Sequence, residues 1–555
     1  MTTTPETDLS SAALSQEALR RRVASLVVVR ASGHATDRQR RYPRWELPNT
    51  ELKRLLSSGV GGVILLGGSS VELQQRCRQL RSWAQSPLLL CADVEEGVGQ
   101  RFEGATWLVP PMALARLHER NPIQAEKLAQ EYGACTGRQA LLCGLNWVLA
   151  PIVDVNNNPA NPVINVRAWG DDPHTVTQLT LAFQRGLRQE GVLGCAKHFP
   201  GHGDTAVDSH LQLPVLPHDL ERLEQLELVP FRASIAAGID SVMTAHLQIP
   251  ALDPERPATL SKAVLSDLLR GRLGFEGLVV TDALVMDAIR EHHSAGDAAR
   301  LAFEAGADLI LMPEDADAAI AAICEGLRAG QIPWGRLDAS LARRQRALER
   351  VASSQPNPEA EALELEDSRE RALREALVTL SLERQGPPLE PLTAGQGINL
   401  IRVDGVLPCP QLPASAAALQ LPEQAGFRPL IHHPLGVSIW EPTRPDAPLN
   451  LKGLGDGPVL LQLFLRGNPF RAGREMREPW AEALAQLQAE GRLAGLVVYG
   501  SPYAWDKLRK QLHPDIPAVY SPGQMPEAQQ TVLTALIKEA LPRNAPTGLG
   551  GGFTD

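Results

Sequence analysis

The densest group of reactive side chains lies at residues 197–210, which read KHFPGHGDTAVDSH. This stretch holds three histidines, two aspartates and a lysine. Because a carboxylate beside an imidazole can fix its tautomer and stabilise its protonated form, Asp208 and His210 form a candidate proton-transfer pair. Two other interpretations stay open at this point: a loop that is merely polar, and a metal site formed by Asp208 with the histidines His198, His202 and His210.

Other polar residues stand where apolar runs end, namely Asp93 and Glu95, Asp154, His246, and Asp282. An aspartate at such a place can attack a substrate as a nucleophile, or it can cap the helix that follows. The sequence alone leaves both roles open for Asp282.

Eight short apolar runs between about residues 24 and 313 alternate with helical stretches: ASLVVVR, GVGGVILLGG, PLLLCADVE, LNWVLAPIVDV, GVLGCAKHF, DSVMTAHL, GLVVTDAL and ADLILMP. Continuous runs of this kind are typical of parallel strands buried on both faces. They predict an α/β protein with an N-terminal TIM-like (β/α)8 barrel over residues 15–350, whose polar residues gather at the carboxyl ends of the strands. A doubly wound sheet is the alternative, but it does not by default direct polar ends from so many strands to one centre.

The composition changes after residue 352 to a polar and acidic stretch. We therefore predict a linker and connecting helix at residues 351–390, followed by a smaller C-terminal α/β sandwich domain at residues 391–545. Strands are expected there at residues 397–405, 436–442, 458–467 and 493–501, with helices between and after them.

Charge and composition narrow the possible partners. The net charge of -10 opposes nucleic-acid binding, and with 4% aromatic residues a long stacking platform would have to be built from few rings. The seven cysteines never form a Cys-x-x-Cys pair, no apolar run reaches the length of a membrane span, and the first residues show no secretory signal. We expect a cytoplasmic protein that binds a small molecule, without nucleic acid or membrane as a partner.

The string KHFPGHGDTAVDSH resembles the signature of bacterial β-N-acetylglucosaminidases in glycoside hydrolase family 3. The resemblance implies that His210 is the general acid/base, supported by Asp208 on a mobile loop after the fifth strand. It also implies that Lys197 and His198 contact hydroxyl groups of the sugar.

Three further segments are similar to family motifs. Residues 277–286 resemble the segment that carries the nucleophile, which implies that role for Asp282. Asp93 and Arg101 match a motif that holds sugar hydroxyls, although Glu96 stands where the family usually has glycine. Arg167, in the sequence NVRAWG, matches an arginine that reaches the substrate.

Together these matches imply a retaining, exo-acting β-N-acetylglucosaminidase (β-N-acetylhexosaminidase) that works through a covalent glycosyl-enzyme. Its substrate would be a sugar or a muropeptide from peptidoglycan recycling in the cell wall, and the scheme needs no cofactor and no metal. Three alternatives stay open: an N-acetylglucosaminide phosphorylase, a β-glucosidase or β-xylosidase of the same family, and a non-catalytic sugar-binding protein. Phosphorolysis is included because a deprotonated histidine is neutral and does not repel phosphate.

Overall fold

The computed structural model describes residues 15–352, 365–405, 407, 409–441, 443–466 and 478–538. The described residues up to Leu377 form one compact unit, and those from Val378 onward form a second. Residues 353–364 of the predicted linker and residues 539–545 of the predicted second domain lie outside the described residues.

The strands of the first unit are short and mostly buried. In chain order they are β1 Val27–Ala31, β2 Gly62–Leu65, β3 Gly68–Ser69, β4 Leu89–Ala92, β5 Phe102–Glu103, β6 Trp147–Val148, β7 Cys195–Phe199, β8 Ser241–Thr244, β9 Leu278–Val280 and β10 Ile310–Leu311. Each of the eight apolar runs contains one of these strands, and every residue of β1, β2, β4 and β7 is buried. Burial on both faces explains why the runs are continuously apolar instead of alternating.

Helices precede, separate and follow these strands. They are α1 Gln16–Ala24, α2 Asn49–Ser57, α3 Ser70–Trp83, α4 Met112–His118, α5 Pro122–Leu142, α6 Pro173–Glu190, α7 Leu220–Gln225, α8 Leu228–Ala236, α9 Asp287–Arg290, α10 Ala295–Ala305, α11 Ala316–Arg328, α12 Trp334–Ala352 and α13 Ser368–Leu380. The sequence signals that begin and end α6 are clear: the Asp172 carboxylate accepts hydrogen bonds from the amides of His174 and Thr175, and Gly191 ends the helix in the left-handed conformation.

The strands of the first unit pair in parallel. One sheet has the order β10-β1-β2-β4-β6, a second has the order β7-β8-β9, and β3 pairs with β5. Single bridges connect the two larger sheets, between Trp147 and Leu193, between Ile152 and Lys197, and between Val280 and Leu309. All carboxyl ends in one parallel sheet lie at the same edge, so the residues that follow β1, β4, β7 and β9 come from corresponding edges.

The second unit has one mainly parallel sheet. Its strands are β11 Glu383–Gln385, β12 Gly397–Arg402, β13 Phe427–His432, β14 Val459–Leu465, β15 Leu493–Gly500 and β16 Ala518–Ser521. Its helices are α14 Ala417–Gln424, α15 Leu451–Leu454, α16 Trp480–Ala489, α17 Pro502–Arg509 and α18 Pro526–Leu536. The sheet order is β11-β16-β15-β14-β12-β13, and only the pairing of β11 with β16 is antiparallel among these described strands.

Apolar cores cover both faces of this sheet. Leu461 and Leu463 of β14 belong to the core that contains α16 and α17, whereas Leu460 and Phe464 of the same strand belong to the core with α14 and α18. The predicted strands at 397–405, 458–467 and 493–501 are found.

The strand predicted at residues 436–442 is wrong, because Trp440 there makes only an isolated bridge to Leu449. The strand that pairs at the sheet edge is β13 instead. No helix in the described part of the chain combines the length and the apolar character that a membrane crossing needs.

Candidate active site

One network in the first unit joins two cations, Lys197 and Arg167, to a buried carboxylate, Glu95, and a partly exposed one, Asp93. The ammonium group of Lys197 lies 2.7 Å from Asp93 Oδ1 and 2.6 Å from Glu95 Oε1. Arg167 forms a bidentate ion pair with Glu95: its Nε donates to Glu95 Oε2 and its Nη2 donates to Glu95 Oε1, both at 2.8 Å. The side chain of Lys197 is 1% exposed and that of Glu95 is 5% exposed, so water screens these charges little.

The pKa values in this network follow from burial and pairing. Burial by itself raises the pKa of Glu95, but the charges of Arg167 and Lys197 outweigh it and hold that pKa well below its usual value. Burial opposes the charge on Lys197, yet Asp93 and Glu95 raise its pKa above the ordinary lysine value. Glu95, Lys197 and Arg167 are therefore charged at neutral pH.

Glu95 is the residue whose importance the sequence motifs missed. It stands two positions after Asp93 at the end of the same apolar run, and that spacing was the available signal, because alternate residues of an extended segment point to the same side. Its carboxylate joins Lys197 to Arg167, two of the predicted substrate-binding residues.

Arg101 joins this network through the backbone. Its Nε donates to the carbonyl oxygen of Asp93 at 3.1 Å. Glu96, which replaces the family's glycine, is buried and accepts the Trp107 indole N–H at 2.9 Å. The left-handed conformation of the turn is taken by Gly97, with φ of 78°, so Glu96 does not have to adopt it.

His198 is held by a second buried carboxylate. Asp154 Oδ2 lies 2.8 Å from His198 Nδ1, and Asp154 Oδ1 accepts the backbone N–H groups of His198 at 3.1 Å and of His202 at 2.7 Å. Burial raises the pKa of Asp154, but His198 and the hydrogen bonds to this carboxylate lower it overall. The contact fixes Nδ1 of His198 on Asp154, which directs Nε2 away from that carboxylate.

Asp282 lies two residues beyond the end of β9. Its backbone N–H donates to Thr244 Oγ1 at 3.3 Å, and its Oδ1 accepts the Ala283 N–H at 2.7 Å. Burial by itself raises the pKa of Asp282, but the charges of His246, His198 and His210 together with the Ala283 N–H outweigh it and lower the pKa to about 2. The carboxylate is therefore ionised at neutral pH.

His210 and Asp208 form the expected pair on the segment after β7. Asp208 Oδ1 lies 2.9 Å from His210 Nδ1 and accepts the His210 backbone N–H at 2.9 Å. Asp208 is buried, whereas the His210 side chain is 20% exposed. His210 also interacts electrostatically with Asp282, so the residue predicted to carry the proton lies near the predicted nucleophile.

A second histidine, His202, is buried and connects two other residues of this segment, Thr205 and Ser209, by hydrogen bonds to its ring. Thr205 donates its hydroxyl to the His202 carbonyl at 3.2 Å, so His202 Nδ1–H donates to Thr205 Oγ1 at 2.8 Å. His202 Nε2 then accepts the Ser209 hydroxyl at 3.0 Å, one residue before His210. Burial lowers the pKa of His202 to about 4, which keeps the ring neutral and fits this donor and acceptor pattern.

The histidines of residues 197–210 do not converge on one point. His198 contacts Asp154, His202 contacts Thr205 and Ser209, and His210 contacts Asp208.

Among the described residues, another group could offer three metal ligands: Asp204, His218 and Glu227. Arg222 already places a positive charge there, with Nη2 3.4 Å from Asp204 and 3.1 Å from Glu227. We assign no metal to either place.

The predicted site residues therefore fall into linked groups. One group is the network around Glu95, which includes Asp93, Arg101, Arg167 and Lys197. The other group surrounds Asp282, whose pKa is lowered by His198 and His210. Asp208 contacts His210 in this second group.

The chain matches known families over most of its length. Residues 18–347 match the model of the glycosyl hydrolase family 3 N-terminal domain, and residues 391–538 match the bacterial glycosyl hydrolase family 3 C-terminal domain. A β-hexosaminidase from Alkalilimnicola ehrlichii is 35% identical over 334 residues, which is 57% of this chain and 95% of that protein.

Two further relatives extend the comparison. The β-hexosaminidase A of Pseudoalteromonas piscicida is 39% identical over 288 residues, and the match spans about half of each protein, 47% of this chain and 47% of the relative. The structure of a glycoside hydrolase family 3 β-N-acetylglucosaminidase from Paenibacillus sp. str. FPU-7 is 28% identical, with a TM-score of 0.73 over 95% of this chain and 98% of that one. These findings confirm the resemblance: the chain is a glycoside hydrolase and belongs to glycosyl hydrolase family 3.

Proposed function

We propose that this glycoside hydrolase removes a terminal, non-reducing β-linked N-acetylglucosamine and retains the configuration at the anomeric carbon. The observation that carries the proposal is the His210–Asp208 pair at 2.9 Å in a segment that also acts on the charge of Asp282. A retaining glycosidase needs a carboxylate nucleophile and a proton donor at the leaving oxygen. Asp282 and His210 supply these two functions.

In the first step Asp282 attacks the anomeric carbon and the bond to the leaving oxygen breaks. The imidazolium of His210 gives its Nε2 proton to that oxygen, while Asp208 keeps Nδ1–H and stabilises the positive charge. The low pKa of Asp282, about 2, keeps the nucleophile ionised while a protonated histidine is present.

In the second step the neutral His210 takes a proton from water, and the resulting hydroxide attacks the glycosyl-enzyme. The bond to Asp282 breaks and the carboxylate is restored. One imidazole thus acts first as an acid and then as a base.

The buried network is proposed to bind the sugar hydroxyls. Asp93 follows β4, and Lys197 and His198 lie within β7. Arg101 holds the backbone of Asp93, and Arg167 holds the side chain of Glu95. Charged groups that are already paired and buried do not have to reorganise when the substrate arrives, so they can orient the sugar for attack by Asp282.

Further features belong to the same proposal. Eight of the ten strands of the first unit, β1, β2, β4 and β6–β10, are proposed to close into a (β/α)8-like barrel. Bridges connect the region of β6 with that of β7, and β9 with the residue before β10. We propose that the barrel domain covers residues 15–350, the linker and connecting helix residues 351–390, and the second domain residues 391–545. The proposed substrates are peptidoglycan-derived muropeptides in the cytoplasm, where the seven free, buried cysteines would stay reduced.

A panel of aryl glycosides tests the proposal. Wild type should hydrolyse the β-N-acetylglucosaminide much faster than the β-glucoside or β-xyloside, and Asp282→Ala should lose that activity. Equal rates for wild type and Asp282→Ala would overturn the mechanism. Repeating the assay with phosphate distinguishes phosphorolysis, which releases the sugar 1-phosphate, from hydrolysis.

A further inference from the structure

The segment after β1 is unusually rich in arginine. Residues 38–44, which we call the arginine loop, read Arg-Gln-Arg-Arg-Tyr-Pro-Arg in a chain whose net charge is -10. Arg38, Arg41 and Arg44 are exposed. A local excess of positive charge on an acidic protein is a candidate site for an anionic partner.

The nearby carboxylates are already engaged. Asp37 lies 4.0 Å from Arg40 and accepts the Asn49 backbone N–H at 2.9 Å. Glu46 is buried and accepts the Tyr42 N–H at 2.8 Å. Arg40 also donates to the Glu46 carbonyl at 2.9 Å, which anchors the loop.

The remaining arginines keep their charge available. Within the described parts of the chain, Arg38, Arg41 and Arg44 have no carboxylate oxygen within 4.0 Å of their guanidinium nitrogens. Two of them lie over aromatic rings: Arg41 is 5.6 Å from the centre of the Tyr42 ring and Arg44 is 5.1 Å from that of Trp45. Stacking orients a guanidinium while leaving its N–H groups open to an anion.

The arginine loop lies beside the candidate active site. It follows the carboxyl end of β1, and Asp93 follows β4 in the same parallel sheet. A methyl group placed on Gly67 would lie 3.8 Å from Tyr42, 4.0 Å from the Arg41 side chain and 3.2 Å from the Arg101 carbonyl oxygen.

Arg101 in turn donates to the Asp93 carbonyl, and Asp93 pairs with Lys197. A short chain of contacts therefore connects the loop with the proposed sugar site.

We propose that Arg41 and Arg44, with the rings of Tyr42 and Trp45, form a subsite for a leaving group that carries carboxylates. The inference rests on the proposed glycosidase function and adds the residues that would bind the leaving group. The inner cations Lys197 and Arg167 are neutralised by Asp93 and Glu95, whereas the loop arginines are not. An anion on the aglycone would therefore be recognised at the rim of the site and not at its centre.

Two substrates with the same sugar test this subsite. One is the β-N-acetylglucosaminide of 7-hydroxycoumarin-4-acetic acid, and the other is its N-methylamide, which has a similar phenol but no charge. Because exposed ion pairs contribute modestly, we expect wild type to prefer the acid in kcat/KM by about three- to tenfold. Raising the salt concentration from about 0.05 M to about 0.5 M should shrink this preference through screening.

The double variant Arg41→Gln/Arg44→Gln should bring the ratio of the two kcat/KM values close to one. Arg185→Gln, which removes an exposed arginine in the middle of α6, should leave both values unchanged and serves as the matched control. Wild type without a preference for the acid, or a double variant that keeps it, would overturn the subsite. If wild type hydrolyses neither substrate, the proposed glycosidase function itself is wrong, and the result is distinct from a failure of the subsite.

Discussion

Replacing Glu95 by glutamine removes a carboxylate that contacts both Lys197 and Arg167. Lys197 keeps its 2.7 Å contact to Asp93, but Arg167 loses both of its 2.8 Å contacts to a charged oxygen. The new amide NH2 group would also face a cationic donor. Breaking a buried ion pair from one side typically costs about 3–5 kcal/mol, and since Lys197 keeps one partner we expect about 3 kcal/mol.

Hydrogen exchange of peptides from β4 and β7 measures this loss in the first unit. At about 1.36 kcal/mol for each factor of ten, 3 kcal/mol corresponds to exchange about 150-fold faster at neutral pH. The matched control is Glu96→Gln, the neighbouring buried carboxylate, whose amide oxygen can still accept the Trp107 N–H. This control should exchange almost like wild type.

The effect of pH follows from the lowered pKa of Glu95. Stability from such a group is present above the carboxyl pKa of the unfolded chain, about 4.3, and is lost as the pH falls below it. The difference between wild type and Glu95→Gln should therefore shrink in acid. A rate of exchange in Glu95→Gln within about fivefold of wild type at neutral pH would refute this reasoning. Fivefold corresponds to about 1 kcal/mol, which is no more than an exposed surface ion pair contributes.

Three other substitutions test the segment that carries the proton donor. Gly203→Ala places a methyl group 1.7 Å from the Val155 carbonyl oxygen and should destabilise by about 1–3 kcal/mol in urea unfolding, whereas Gly335→Ala, with open space around it, should not. The free energy of unfolding of wild type should fall by about 3 kcal/mol between pH 6.5 and 4, because His202 binds a proton near pH 6.5 in the unfolded chain but only near pH 4 in the folded protein. His202→Gln should lack this fall when unfolding is measured as a function of pH. His210→Ala should slow poor leaving groups about 100- to 10,000-fold, and activated aryl glycosides less; equal losses would contradict its role.

Eight of the ten strands of the first unit could be predicted from the sequence, because both faces of each of these strands are buried and the apolar runs are therefore continuous. The two-residue strands β3 and β5 are partly exposed and gave no such run. The edge strand β13 could not. It pairs only with β12, and its residues Arg428 and Pro429 are exposed, so its pattern is not that of a buried strand. The apolar residues of the segment 436–442 gave a false signal instead, because they follow the strand and do not form it.

The candidate site shows the same division. Asp208 and His210 are two residues apart, so their spacing alone predicts contact. Glu95 lies 72 residues from Arg167 in the sequence, and nothing local to either residue indicates that they meet. The same holds for the position of the arginine loop beside Arg101, which depends on the pairing of strands and on the turn at Gly67.

The central claim is that Asp282 forms a covalent bond to the sugar. Incubation with 2-acetamido-2-deoxy-5-fluoro-β-glucosyl fluoride tests it, because the ring fluorine slows both steps while the fluoride leaves readily, so the glycosyl-enzyme accumulates. Mass spectrometry of the digested protein should find the sugar on the peptide that contains Asp282. Sugar attached to a different residue, or release of fluoride without any covalent adduct, would contradict the account.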